Sequence, residues 1–170
     1  GLFEGNLISG NGDIGIDDGW PGSAILIRPD YAAIDELYTG QVTIQGNKLG
    51  LNYNGDAIIG NEDHGIMVSE VSEQTNADVG NIDVFIGGNT AGARNIVSGN
   101  DASGIDLEVN SAIIQGNYIG TNAAGNAALG NGQNPSLDGS SGMHIRAMNG
   151  GDYTIGGSDP GEGNVISGNA

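Results

Sequence analysis

The sequence contains no cysteine and only four prolines, and only four of its 170 residues are basic. Without cysteine it has no disulfide, no thiolate metal site and no thiol nucleophile. Its 21 acidic residues give a net charge of −17, which argues against nucleic acid or anionic membrane as a partner, because both attract clusters of Lys and Arg. No apolar run approaches the roughly 18 residues of a membrane span, so we expect no membrane insertion.

In contrast to cysteine, proline and the basic residues, glycine and asparagine are abundant in this sequence. The chain has 33 glycines and 20 asparagines, and glycine alone far exceeds its usual share of about 7%. Both residue types tolerate left-handed backbone and tight turns, so the chain is expected to turn often. The strong acidity fits a secreted, salt-exposed or calcium-containing setting and also keeps a protein soluble. We therefore expect an extracellular or cell-surface location.

Internal repeats are the main signal in the sequence. A pentapeptide ending in Gly-Asn occurs at Leu7–Asn11, Ala57–Asn61, Ile96–Asn100, Ala127–Asn131 and Val165–Asn169. A second motif, centred on Ile and followed by Gly, lies between these copies at Val42–Gly46, Val84–Gly88, Ala112–Gly116 and Tyr153–Gly157. A third motif, Gly-Ile or Gly-Met, stands at 15–16, 65–66, 104–105 and 142–143. The constant order of the three motifs predicts three short β-segments per repeat.

These repeats predict an all-β fold, a right-handed single-stranded parallel β-helix (β-solenoid) of about four coils with three parallel sheets. One coil cannot bury its apolar side alone, so coils stack on each other around a narrow core. The right hand follows from the general bias of parallel crossover connections. Residues 1–170 are interpreted as a single domain taken from a longer protein, and residues 19–41 as an inserted loop.

Several of these segments resemble a known superfamily. These segments are Asn6–Asn11, Gly116–Thr121, Ala128–Asn131 and Thr154–Gly157, and they are similar to parallel β-helix repeats of the pectin-lyase-like superfamily. More narrowly, they resemble repeat arrays of large bacterial secreted and surface proteins. The resemblance implies a fold, but the superfamily includes polysaccharide lyases, glycoside hydrolases, epimerases, phage tail fibres and non-catalytic adhesins, so it does not decide the function.

The Gly-Asn pairs predict a ladder of asparagine amides that bond between stacked repeats. Its predicted members are Asn11, Asn61, Asn100, Asn131 and Asn169. We interpret these side chains as structural.

The predicted inserted loop contains aromatic and guanidinium groups, which suit stacking against sugars or a protein surface. These ligand-binding candidates are Trp20, Arg28, Tyr31 and Tyr38. The alternative is that the loop folds down and covers one end or side of the stack.

The outer face of the first predicted sheet offers a second candidate site. Side-chain alternation places Asp17, Met67, Asp106 and His144 in one file across the strands, and Ser69, Glu108 and Arg146 in the next. Two carboxylates, an imidazole and a guanidinium together could perform acid–base chemistry on a polysaccharide. If the protein is an enzyme, Asp106, Glu108, His144 and Arg146 are the candidate catalytic residues. The alternative is cross-strand charge pairing without chemistry.

Acidic turns raise the question of a metal. No cofactor is required by the sequence, but carboxylates and turn carbonyls are suitable calcium ligands, and the candidates are Asp13, Asp17, Glu62 and Asp63. Neither of their segments matches a calcium-binding repeat or loop motif.

The catalytic pattern of polygalacturonases is also incomplete in this sequence, because a third aspartate motif and an Arg-x-Lys are missing.

Three functions remain open. The leading hypothesis is a non-catalytic extracellular module that binds a polysaccharide or surface glycan, or acts as an adhesin or spacer. The first alternative is part of a polysaccharide lyase or glycoside hydrolase. The second is a structural module that associates end to end through its exposed edges.

Overall fold

A computed structural model describes residues 6–10, 22–28, 38–72, 77–78, 80–137 and 140–170. These residues form strands, turns and bends and contain no helix, so no described helix is long and apolar enough to cross a membrane. The strands are β1 (Leu7–Ile8), β2 (Ile25–Ile27), β3 (Tyr38–Ile44), β4 (Lys48–Leu49), β5 (Ile66–Ser69), β6 (Val71–Ser72), β7 (Ala77–Asp78), β8 (Gly80–Gly87), β9 (Ile96–Val97), β10 (Ile105–Gln115), β11 (Tyr118–Ile119), β12 (Met143–Ile155) and β13 (Val165–Ile166).

The strands form two separate parallel sheets. The smaller sheet has five short strands in the order β1-β4-β9-β11-β13. The larger sheet has six strands, with the path β2-β5-β10-β8-β3 and with β12 paired to β10. The chain passes repeatedly between the two sheets, so parallel neighbours are distant in sequence. The short strands β6 and β7 form a separate antiparallel pair.

The predicted right-handed β-helix with three parallel sheets is therefore wrong. The first and second predicted segments of a repeat do not belong to different sheets, because β10 and β12 each run through both without a break. The connection Glu108–Ser111 contains neither glycine nor proline, and the backbone stays extended there. The first half of β10 pairs with β5 and its second half with β8, which merges two predicted sheets into one.

Two of the five pentapeptides also lie elsewhere than predicted. The smaller sheet takes its strands from Lys48–Leu49 and Tyr118–Ile119, not from Ala57–Asn61 and Ala127–Asn131. Each of those two pentapeptides instead closes a turn excursion that follows the strand. In both excursions an asparagine side chain, Asn52 or Asn122, accepts hydrogen bonds from backbone N–H groups four and five residues later.

The outward row of the larger sheet that contains Met67, Asp106 and His144 begins with a different residue from the one predicted. Residues 25–27, inside the segment predicted to be an inserted loop, form β2 and pair with β5, so Leu26 lies beside Met67. The prediction had placed Asp17 beside Met67, and Asp17 lies outside the described residues. The remaining neighbours agree with the prediction, because Met67 pairs with Asp106 and Asp106 with His144.

The core lies between the two sheets and consists almost entirely of Ile, Val and Leu. Alternation along β10 buries Ile105, Leu107 and Val109 completely, while Asp106 and Glu108 face outwards. Burying one such aliphatic side chain contributes about 1.5–3 kcal/mol. Exposure rises at the C-terminal edge, where Ile155 is 50% exposed.

A row of asparagines, which we call the first asparagine row, stands at the start of the smaller sheet's strands. In each rung the backbone N–H and the side-chain Nδ2 of one residue donate to Oδ1 of the next, with N···O distances of 3.0–3.2 Å. The row consists of Asn6, Asn47, Asn95, Asn117 and Asn164. Asn95 and Asn117 are 0% exposed, so their amides satisfy backbone groups that water cannot reach.

The second asparagine row contains the described members of the predicted ladder. Asn61 Nδ2 donates to Asn100 Oδ1 at 2.7 Å, Asn100 Nδ2 to Asn131 Oδ1 at 2.8 Å, and Asn131 Nδ2 to Asn169 Oδ1 at 2.9 Å. Asn11 lies outside the described residues. The two turn excursions differ in sequence from the direct turn after β9, yet they return Asn61 and Asn131 to the same row as Asn100.

A buried carboxylate ties the larger sheet together where its register shifts. Glu70 is 0% exposed and accepts hydrogen bonds from Ile82 N–H and from both the backbone and the side-chain amide of Asn110. Tyr153 donates its hydroxyl to the carbonyl of Val109 beside this point. Burial raises the pKa of the Tyr153 hydroxyl above its usual 10.0, and the charge of Glu70 adds to the rise, opposed by a hydrogen bond with the backbone of Met148.

The first asparagine row should carry a large share of the stability. We expect Asn117→Ala to lower the free energy of unfolding by about 3 kcal/mol, because it leaves buried groups such as Asn95 N–H without a partner. Urea denaturation measures this change. The matched control is Asn126→Ala, which removes an exposed amide and should cost less than about 1 kcal/mol. Equal losses for the two variants would contradict a structural role for the row.

The raised pKa of Tyr153 predicts a loss of stability in alkali. Above about pH 10 the unfolded chain ionises this tyrosine while the folded chain keeps the proton, so the free energy of unfolding falls as the pH rises. In Tyr153→Phe this contribution is absent, and the fall should be shallower. Urea midpoints at pH 8 to 11 test it. Parallel pH profiles of the two proteins would argue against burial of the hydroxyl.

Candidate functional site

Strand register brings four of the predicted site residues together on the outer face of the larger sheet. Asp106 on β10 pairs with His144 on β12, and two residues further Glu108 pairs with Arg146. All four point away from the core because alternate residues of a strand face opposite sides. Sequence separations of 38 residues thus become neighbouring positions.

Three of these side chains, those of Asp106, His144 and Arg146, line an open cleft of about 220 Å³, which we call the acid–histidine cleft. Its lining is mainly polar and comprises Asp63, His64, Ala102, Ser103, Asp106, Leu137, Ser140, His144 and Arg146. Most of these come from the turns before β5, β10 and β12 and from the first residues of those strands. The cleft therefore exists because successive repeats place their turns at the same edge of the sheet.

The carboxylate of Asp106 lies between two imidazoles. Its Oδ2 is 3.6 Å from His64 Nε2, and its Oδ1 is 3.4 Å from His144 Nδ1. His64 Nε2 also lies 3.4 Å from Asp63 Oδ1, and Asp63 Oδ2 accepts a 2.7 Å hydrogen bond from the hydroxyl of Ser23. The side chains of Asp63, Asp106 and His64 are only 10–17% exposed, whereas His144 is 42% exposed.

Hydrogen bonding distinguishes the neutral forms of the two histidines. The backbone N–H of Ser103 donates to His64 Nδ1 at 3.2 Å, so the proton of neutral His64 must be on Nε2, facing the two carboxylates. Asp106 can only accept, so the proton of neutral His144 belongs on Nδ1. His144 Nε2 is then the ring nitrogen available as an acceptor in the cleft.

Glu108 and Arg146 form the next rung. Arg146 Nη1 contacts Glu108 Oε1, and Ser69 donates its hydroxyl to Glu108 Oε2 at 3.0 Å. Arg146 is 60% exposed and Glu108 15% exposed. A cross-strand ion pair with this exposure contributes at most about 1 kcal/mol to stability. The pair therefore matters less for stability than for holding Arg146 in a fixed position at the edge of the cleft.

The second half of the same face carries a wider depression of about 480 Å³, which we call the second cleft. It crosses β8, β10 and β12 and is lined by Asp83, Val84, Phe85, Ser111, Ala112, Ile113, Asp152, Tyr153 and Thr154. Ser111 donates its hydroxyl to Asp83 Oδ1 at 2.9 Å. Ile113 is 37% exposed and Phe85 is half-buried, so an apolar strip lies beside the carboxylates Asp83 and Asp152.

Only some residues of the predicted aromatic site and of the predicted calcium site are among those that the structure describes. Trp20, Tyr31, Asp13 and Asp17 lie outside the described residues. Tyr38 begins β3, and Arg28 follows β2 and is half-buried. Of the other calcium candidates, Glu62 is exposed and Asp63 belongs to the acid–histidine cleft. Calcium binding stays a prediction.

His64 is poorly arranged as a metal ligand. A histidine that binds a metal normally donates its other ring N–H to an acceptor, but His64 Nδ1 itself accepts an N–H. Across the described part of the chain, no group of three or more acidic or histidine side chains has the geometry to hold a metal ion.

Searches with this chain against protein-family models, curated proteins and solved structures found no match. The resemblance to the pectin-lyase-like superfamily therefore stays a prediction from the sequence.

Sequence reasoning missed two elements of this arrangement. His64 was not assigned to the site, although its position before Gly65 corresponds to the turns before Gly104 and Gly142. The first asparagine row was also missed, and its signal was an asparagine directly before each strand of the smaller sheet. Irregular spacing, from 22 to 48 residues between rungs, hid that signal.

The opposite hydrogen-bonding roles predict opposite tautomers for the two histidines. Long-range ¹H–¹⁵N NMR spectra, recorded at a pH where both rings are neutral, should show the proton of His64 on Nε2 and that of His144 on Nδ1. Asp106→Ala should remove the preference of His144 and leave that of His64, which Ser103 also fixes. One shared tautomer for both rings would contradict the geometry.

Proposed function

We propose that this protein is an extracellular or cell-surface module that binds carbohydrate through the acid–histidine cleft without performing chemistry on it. The observation that supports this function is the set of oriented donors and acceptors around one open cleft. Sugars present many hydroxyl groups that both donate and accept, so they suit a surface that offers both kinds of partner at fixed positions.

The contacts within the cleft favour binding because they fix its side chains before a ligand arrives. Asp106 is held by two imidazoles, Asp63 by Ser23 and His64, and Glu108 by Ser69 and Arg146. Less side-chain entropy is then lost when a ligand binds. The open shape of the cleft also suits a ligand that lies along the surface rather than one enclosed in a pocket.

Acid–base catalysis on a polysaccharide is a second candidate, favoured by the contact between Asp106 and His144. A carboxylate that accepts from Nδ1 orients the ring and leaves Nε2 as a general base, provided that a substrate proton comes within hydrogen-bond reach. In that case the protein would act as a lyase or hydrolase. Depolymerisation of a polysaccharide by the wild type, abolished in His144→Gln, would replace the non-catalytic proposal by this one.

Binding can be tested on a glycan array followed by calorimetry on the best ligand. We expect His144→Ala and Arg146→Ala each to weaken binding roughly 10- to 100-fold, which corresponds to the loss of about 1.5–3 kcal/mol for a hydrogen bond to a charged group. Both side chains are substantially exposed, so neither change should unfold the protein.

The matched control is Asp56→Asn, on the exposed excursion after β4, which should leave the affinity unchanged. Absence of binding to any glycan by the wild-type protein would contradict the proposed function. So would losses of affinity in the control equal to those in the cleft variants.

A further inference from the structure

The two clefts lie on one continuous sheet face. Both β10 and β12 pass through the acid–histidine cleft and then through the second cleft. Outward-facing residues of β10 line the whole path, from Asp106 in the first cleft to Ile113 in the second. Seven residues of strand separate these two positions by at most roughly 23 Å, a distance that one elongated ligand can span and a single sugar cannot.

The junction between the two clefts is held by hydrogen bonds. The register of β10 against β12 shifts between Val109 and Ser111, and the buried carboxylate of Glu70 holds Asn110 at this point. After the shift the outward positions change from even to odd numbers, so Ser111 and Ile113 remain on the outer side. The face therefore continues across the shift instead of turning its side chains inwards.

The charge of this face is strongly negative. Five carboxylates line the two clefts or border them, and the guanidinium that lines the first cleft, Arg146, is already paired with Glu108. The carboxylates are Asp63, Asp83, Asp106, Glu108 and Asp152. Asp83 and Asp152 are both exposed, and Asp83 accepts a hydrogen bond from the neutral hydroxyl of Ser111. An anionic ligand such as a uronate would be repelled, whereas an ammonium group would be attracted.

We infer that the ligand is a linear glycan of amino sugars with free amines, and that it lies along β10 across both clefts. This inference rests on the proposed function and names the ligand class of the same face. The acid–histidine cleft supplies oriented partners for hydroxyl groups. The second cleft supplies the carboxylates of Asp83 and Asp152 for ammonium groups, and Phe85 and Ile113 as an apolar strip for the face of a sugar ring.

Calorimetry with three series of oligosaccharides tests the inference: glucosamine, N-acetylglucosamine and galacturonate oligomers of two and six units. The glucosamine hexamer should bind at least about tenfold more tightly than the dimer, because the second cleft adds contacts to the same molecule. It should also bind more tightly than the acetylated and uronate hexamers, and its affinity should fall between about 50 mM and 0.5 M salt.

The double variant Asp83→Asn/Asp152→Asn isolates the second cleft, since both side chains are exposed and the change keeps their shape. It should weaken binding of the glucosamine hexamer about tenfold, because the second cleft then no longer offers carboxylates to its ammonium groups. The control is Asp56→Asn/Asp159→Asn, which removes the same charge from exposed turns elsewhere and should leave that affinity within about twofold.

The outcomes separate this inference from the function on which it rests. A glycan that binds regardless of length, of amine content and of the Asp83/Asp152 variant would overturn the inference and leave carbohydrate binding in place. Equal or tighter binding of the uronate hexamer would also overturn it. Failure of every oligosaccharide, and of every glycan on the array, would overturn both.

Discussion

The stacking of successive repeats depends on two rows of asparagine amides, which bond each repeat to the next. Where the chain turns between its two sheets, backbone N–H and C=O groups would be buried without partners. Each asparagine of the first row after Asn6 accepts from its neighbour's backbone and side chain and donates to a main-chain carbonyl, as Asn117 does with Ile86. Replacement by an apolar side chain would leave those groups unpaired, at a cost that the thin aliphatic core can hardly offset.

The candidate site is a consequence of that stacking. Asp106 and His144 meet because β10 and β12 are aligned residue for residue, and a slip of β12 by one residue would turn His144 towards the core. Three turns at the same edge of the sheet then bring Asp63, Ser103 and Ser140 to the same cleft. The site thus needs no dedicated element, since stacking of similar repeats places its polar side chains side by side.

Much of this arrangement could be read from the sequence, because side-chain alternation and motif order are local properties. They predicted the pairing of Asp106 with His144 and of Glu108 with Arg146, the inward side chains of Ile86 and Ile114, and the contacts of Asn100 with Asn131. They did not predict the number of sheets. Without glycine or proline, the sequence of an extended connection such as Glu108–Ser111 does not differ from that of a corner between two sheets. Alternation and motif order also did not predict the two turn excursions. A Gly-Asn motif brings its asparagine to the same row whether it follows a strand or ends a turn.

By itself, then, the sequence determined a β-rich chain of repeats, its acidity, the aliphatic core positions and the neighbours across β10 and β12. Only the tertiary structure decided that the strands form two sheets rather than three, that Ile25–Ile27 lies beside β5, and that His64 lies between Asp63 and Asp106. The physical reason is that alternation fixes which way a side chain faces, whereas the path of the backbone at a corner depends on contacts between residues about 40 positions apart, which no local pattern records.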